Sequence, residues 1–278
     1  MSKLFNEYPI IMSHDAATGD MIRNHIISEW AMTQSIGLAG QLDCGSRGFD
    51  YRPYYHNGTL YAHHGGVKVN KPMKDAVNEV ITWCNQHPSE FVLFYTNSCE
   101  GDSGCKEAAI ELLKSLGIYT ITDCNELQSL TINQATSLGK LQNGGSLLGL
   151  YDCVLEEYDS TINCYGKDFA CYESWPNEST DIPWNKMNSY LNSVTSKIPT
   201  NDGRLWMTQA HWQSTALSIS LGTLHNSSLL LDEERSKINQ YITNQINNKA
   251  YSYLNIIEVD NVCNYGLELF DSINSYRS

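Results

Sequence analysis

Two histidine-bearing segments hold the side chains best suited to chemistry. His14 stands beside Asp15, and His63 and His64 stand further along, with Asp50 and Arg52 between. Two imidazoles can serve as general base and general acid, and one guanidinium can neutralise a phosphate. That set suits cleavage of a phosphodiester by attack of an internal hydroxyl, with no metal required.

These residues need elements to position them. Pro9 to Ser13 and Gly48 to Tyr54 read as strand-like, and Asn57-Gly58 joins the second to Leu60-Tyr61-Ala62 as a turn. A helix is expected over Met21–Met32. Another is expected over Pro72–Gln86, with proline in its first turn and a stop at His87-Pro88. Phe91–Tyr95 and Ser146–Tyr151 are continuous apolar runs, the pattern of strands buried on both faces. A helix over Lys106–Leu116 lies between them. A run at Arg204–Thr208 follows, then a helix over Leu231–Asn247 and a last run from Leu254 to Asp260.

Strands alternating with helices predict an α/β fold, a distorted (β/α)8 TIM-type barrel in a single domain spanning residues 1–278. In such barrels the C-terminal strand ends carry the chemistry. His14, Arg52, His64, Asn97, Tyr151-Asp152 and Asp260 all fall at predicted strand ends. His63 alternates to the face opposite His64 and is expected to be structural. Gln209 or His211, after the Arg204–Thr208 strand, can face the site.

Composition narrows the partners. The chain has 278 residues, 41% hydrophobic, and a net charge of −13. That balance opposes nucleic acid binding and general adhesion to anionic membranes. No apolar run is long enough to span a bilayer. The start lacks a long apolar core, so no signal peptide is expected in the chain as given, and a cytoplasmic location is expected over a secreted one. The nine cysteines include no CxxC pair, which opposes a structural zinc site. Cys99 and Cys105 flank a short glycine-containing loop that a disulfide could close.

At these residues the chain resembles the phosphatidylinositol-specific phospholipase C X-domain family, in its small, single-domain, calcium-independent form. The resemblance rests on Ser13-His14-Asp15-Ala16-Ala17-Thr18, on Gln41-Leu42 with Gly45-Ser46-Arg47-Gly48-Phe49-Asp50-Tyr51-Arg52, and on His64-Gly65. Pro88-Ser89-Glu90-Phe91-Val92-Leu93 and Ile257-Glu258-Val259-Asp260-Asn261 extend it. It implies His14 as general base, His64 as general acid and Arg52 on the phosphate in place of calcium. Asp260 would hold the base imidazole, and Asp15 and Asp50 would complete the polar shell. Asn97, Glu173, Trp175 and Gln209 are the candidates for binding the head group.

The implied substrate is an inositol phospholipid, met in transient contact with a membrane surface by a monomer without cofactor or metal. The products would be a cyclic inositol phosphate and diacylglycerol. The chain departs from the bacterial pattern near Asn97, where a lysine is expected, and near Tyr151-Asp152, where an arginine is expected. Two alternatives follow: a different head group, or a non-catalytic inositol-phospholipid binder on the same barrel. A metal-dependent glycerophosphodiesterase is opposed by the lack of His-Arg-Gly and by the late position of Glu258-x-Asp260.

Overall fold

Apolar runs bounded by turn residues become the strands of a curled parallel sheet. The computed structural model describes residues 2–23, 26–165, 171 and 182–277. In chain order its strands are β1 (Ile10–Ser13), β2 (Gly48–Tyr51), β3 (Pro53–His56), β4 (Thr59–His64), β5 (Val67–Val69) and β6 (Phe91–Thr96). Then come β7 (Glu100–Gly101), β8 (Thr120–Ile121), β9 (Ser146–Tyr151), β10 (Val154–Glu156), β11 (Leu205–Gln209) and β12 (Ile256–Val259). The main sheet runs β10-β11-β12-β1-β2-β6-β9-β8. Its paired neighbours are parallel. Among the described residues the short edge strands β8 and β10 do not pair, so the barrel is open on that side. The expected α/β barrel is present in this distorted form.

Strand side chains alternate between faces, so period two decides what enters the barrel. Ile10, Met12, Leu93, Tyr95, Leu148, Leu150, Leu205, Met207 and Ile256 form one buried cluster, the barrel interior. Ile11, Ile257 and Val259 belong to one outer cluster, and Phe49, Tyr51, Val92, Phe94 and Leu147 to another, where helices cover the sheet. Continuing these interior series by two residues leads to His14, Asn97, Gln209 and Glu258, and two more beyond Glu258 lead to Asp260. The apolar floor and the polar mouth are one alternation read along each strand.

The helix Met73–Gln86 shows how the outer layer forms. It buries Met73, Ala76, Val77, Val80, Trp83 and Cys84, one stripe at helical spacing. Trp83 also covers Arg47, whose guanidinium lies 5.0 Å from its ring centroid and pairs with Glu90 at 2.8 Å. Two residues of the shared motifs, Arg47 and Glu90, are therefore structural.

Sequence and structure differ at several boundaries. The run Gly48–Tyr54 divides at Arg52, because Pro53 lacks the N–H that would continue the ladder. Beyond it, β3 and β4 form a hairpin in a second sheet, β5-β4-β3-β7. The expected helix Met21–Met32 is only Ile26–Ala31 among the described residues, preceded by a 3-10 turn over Ala16–Asp20. The expected helix Leu231–Asn247 is two helices, Leu229–Ser236 and Ile238–Asn247. They break at Lys237, which takes a left-handed φ of 57°. Eight cysteines pair as Cys44–Cys263, Cys99–Cys105, Cys124–Cys153 and Cys164–Cys171, and Cys84 is a buried thiol.

Candidate active site

Each polar group at the barrel mouth is placed by a strand end and held by its neighbours. His14 follows β1, and its Nδ1 lies 2.8 Å from Oδ1 of Asp260, which follows β12. The two strands are paired in parallel, so their ends arrive together. The backbone between them is clamped. Gln34 Nε2 donates to the carbonyls of His14 and Val259, and Thr33 Oγ1 donates to the His14 carbonyl. Asn239 Nδ2 donates to the Asp260 carbonyl.

Asp15 is the centre of the constellation. Its Oδ2 lies 3.2 Å from Nε2 of His14 and 3.2 Å from Nε2 of His64. Its Oδ1 lies 3.0 Å from Nε of Arg52. These are ion-pair distances without hydrogen-bond alignment, since both carboxylate oxygens are buried and lack an aligned donor. Asp15 takes a left-handed backbone, φ 40° and ψ 49°. Such a conformation is costly for a non-glycine residue and is held here by the bond from Asp15 N–H to Asp50 Oδ2.

Arg52 and Asp50 form the third side. Arg52 NH2 lies 2.9 Å from Asp50 Oδ2, and Asn97 Nδ2 donates to Asp50 Oδ1 at 2.9 Å. His64 comes from the second sheet, at the end of β4, with Nδ1 2.6 Å from the Ala31 carbonyl. That bond assigns a hydrogen to Nδ1 and aims Nε2 at Asp15. His63 points away: its Nε2 faces the Ser98 carbonyl at 2.8 Å, which agrees with the alternation.

Burial sets the protonation of this crowd. Desolvation, with His211 the next cause, holds His14 well below the usual imidazole range. Burial first, then the neighbouring carboxyls Glu233, Asp15 and Glu258, pushes Asp260 well above the carboxylate range. Glu258 shifts the same way, by burial and then Asp50. Burial opposes the charge of Arg52, but Asp50 and Asp15 outweigh it and hold the guanidinium above its ordinary value. Among the described residues the mouth therefore sets the permanent cation Arg52 beside several buried carboxyl groups, of which burial holds Asp260 and Glu258 toward their neutral form.

The structure gathers His14, Asp15, Asp50, Arg52, His64, Asn97 and Asp260 into one mouth. Gln209 stands at the end of β11, its amide donating to Glu156 Oε2. Glu173 and Trp175 lie outside the described residues. His211 joins the group, its ring stacked on His14 at 4.0 Å between centroids. Thr33, Gln34 and Asn239 are further members that no motif announced, and Glu258 is one that stood in a motif without an assigned role. Glu258 alone carried a signal, since it precedes Asp260 by two on an alternating strand.

A metal would meet poor geometry here. His14, His211 and Asp260 bring ligand atoms within 4.8 Å of one another. The two rings, however, are inclined by only 14°, and the lone pairs of parallel stacked imidazoles do not converge on one ion. The other group, His14, Asp15 and Asp50, has Arg52 inserted against both carboxylates.

Comparison with known proteins agrees with the resemblance read from the sequence. A PI-PLC X domain-containing protein of Dictyostelium discoideum is 33% identical over 96 residues, 28% of this chain and 16% of that protein. The match thus spans a small part of its length. No family model matches the chain. Among solved structures, a phosphatidylinositol-specific phospholipase C of Staphylococcus aureus, studied for modulation of its membrane binding, superposes with a TM-score of 0.64 at 15% identity. That superposition covers 98% of this chain and 94% of the other. The enzyme of Listeria monocytogenes gives 0.62 at 14% identity, covering 100% and 95%. The chain has the barrel fold of these phospholipases C.

Proposed function

We propose that this chain is a phosphatidylinositol-specific phospholipase C-like phosphodiesterase, with residues 1–278 acting as one catalytic barrel in a monomer. One observation carries the reading. Two imidazole Nε2 atoms face a single carboxylate oxygen at 3.2 Å each, with a guanidinium on the same carboxylate. A base, an acid and a fixed cation thus surround one point.

In the proposed reaction Asp260 accepts the hydrogen of His14 Nδ1, which leaves Nε2 free as a base. His14 takes the proton of the inositol 2-hydroxyl, and that oxygen attacks phosphorus. The bond from phosphorus to the glycerol oxygen breaks. His64, protonated at Nε2, gives its proton to the leaving oxygen. The products are a cyclic inositol phosphate and diacylglycerol. Arg52 holds the phosphate oxygens, and its permanent charge meets the negative charge that grows in the transition state. No step is assigned to a metal.

The lipid surface is met by apolar side chains. The helix Ile26–Ala31 ends at the site, where the Ala31 carbonyl bonds His64. Ile22, Ile26 and Ile27 are exposed, as are Leu217 and Leu224 on the adjoining helix Ala216–Leu224, which Trp30 joins through Thr223. This patch fits brief contact with a bilayer, and no helix among the described residues is long and apolar enough to cross one. The four disulfides favour an oxidising compartment over the cytoplasmic location expected from the sequence.

Phosphorus NMR of the protein with phosphatidylinositol in mixed micelles tests the reading, with and without excess EDTA. A cyclic phosphate signal that persists in EDTA is expected. Binding without turnover would instead favour the non-catalytic reading.

A further inference from the structure

His211 and Glu258 have no part in the reaction above, yet they pack behind its base. The His211 ring lies 4.0 Å from that of His14 between centroids, at 14°. Its Nε2 faces Glu258 Oε2 at 3.3 Å, and its Nδ1 lies 3.9 Å from Asp260 Oδ2. It is 1% exposed. Its strand end is pinned on both sides, by Ala210 N–H on the Glu258 carbonyl and by Trp212 N–H on Glu233 Oε1.

A hydrogen bond at one ring nitrogen does not fix the plane of an imidazole, because the ring can rock about that bond. The contact at His14 Nε2 is with Asp15, and in the proposed reaction that nitrogen must turn to a hydroxyl. What remains is Asp260 at Nδ1 and the flat face of His211. Resting on the proposed function, we propose that His211 is a positioning residue for the base. Its face sets the plane of His14, so that Nδ1 stays on Asp260 and Nε2 faces the mouth. Its edge covers the second oxygen of Asp260, which is buried and makes no hydrogen bond. Burial holds His211 itself down to about 3, so at neutral pH it acts as a neutral ring.

The test compares wild type with His211→Ala and His211→Phe by long-range proton–nitrogen NMR of the imidazoles and by steady-state kinetics. In H211A the single Nδ1–H tautomer of His14 should give way to a mixture. Its kcat should fall by about 10–10²-fold, the scale of a slight misplacement, with little change in KM. H211F restores a flat face without charge and should recover most of both signals. If H211A does not fold, His211→Leu replaces it as the variant that fills volume without a flat face. An unchanged tautomer with near-normal kcat in H211A overturns the proposal, as does a folded H211F as impaired as H211A. If wild type shows no turnover while H211A still disturbs the His14 tautomer, the proposed function fails and the positioning role stands.

Discussion

Nδ1 of His14 and Oδ1 of Asp260 meet at 2.8 Å, although 246 residues separate them in the chain. The parallel pairing of β1 with β12 makes that contact, and it decides which nitrogen of His14 can act. Asp260→Asn leaves the geometry near intact but offers a donor as readily as an acceptor. The wrong tautomer then competes, and kcat should fall by about 10²–10⁴-fold, the range typical of acid–base groups. Kinetics beside a melting curve checks this, and a folded variant with normal kcat would remove Asp260 from the mechanism.

His14→Ala and His64→Ala should each lose about 10²–10⁴-fold in kcat. Both side chains face the mouth, so melting temperatures should change little. His63→Ala is the control. Its ring bonds the Ser98 carbonyl away from the site, so it should lose stability and keep most of its turnover. If H63A were inactive while H64A was normal, the two histidines would have to exchange roles.

The strand-end residues were legible because alternation and parallel topology act on every strand in the same way. His14, Arg52, Asn97 and Asp260 needed no tertiary information beyond that rule, whereas Asp50 entered with the family resemblance. The clamps were not legible. Thr33, Gln34 and Asn239 act through side-chain bonds to distant backbone carbonyls, which leave no periodic trace. The break at Lys237 was hidden for a similar reason: a single left-handed residue within a helical pattern leaves no periodic trace. The Cys44–Cys263 bridge spans a sequence separation of 219, and spacing gives no means of choosing it among the possible pairings.

That bridge fastens the helix Leu38–Asp43, through the following Cys44, to the loop after Asp260. Cys44→Ser with Cys263→Ser should lower stability by about 2–5 kcal/mol, the usual cost of losing a native disulfide. Activity should fall more steeply than global stability as temperature rises, because the freed loop carries the partner of the base. Equal melting temperatures for the variant and wild type would sink this expectation.

Acid should destabilise the fold through the same histidines. His14 and His211 are both held below the ordinary imidazole range, by burial first. A group with a depressed folded pKa stabilises the protein fully above its unfolded pKa. That contribution is lost as pH falls toward the folded value. The histidine contribution should therefore decline as pH drops from the ordinary imidazole value toward the His211 value of about 3. The raised Asp260 and Glu258 act in the opposite sense, so the histidine contribution is read as the difference in melting temperature between wild type and His211→Phe across that window. The acid limb of kcat/KM should lie below the ordinary imidazole value, since His14 stays neutral there. A limb above 6.5 would contradict the depressed pKa of His14.

Arg52→Lys separates geometry from charge. Lysine keeps the cation but loses the planar pair of donors, which here bind Asp50 and approach Asp15. If Arg52 grips the phosphate, kcat should drop by about 10²–10³-fold. If it only braces the carboxylates, the melting temperature should fall and the folded fraction should turn over normally.

The charge of the mouth predicts the head group. Asp15, Asp50, Glu156 and Glu258 act on the site electrostatically, and Arg52 is the cation they share. The lysine and arginine expected near Asn97 and Tyr151-Asp152 are absent. One phosphodiester can use Arg52, but a further phosphate on the ring would meet Asp15, Asp50 and Glu156, whose nearest paired cation among the described residues is the same Arg52. A mismatch of about 1.4 kcal/mol is already tenfold, so kcat/KM for an inositol lipid bearing a ring phosphate should be at least about tenfold below that for phosphatidylinositol. Added salt should narrow the gap only slightly, because Asp15, Asp50 and Glu258 are buried and Glu156 alone of the four is exposed to screening. Rates in mixed micelles of fixed lipid fraction measure both effects. Equal rates for the two lipids would show that these carboxyl groups do not select the head group by charge.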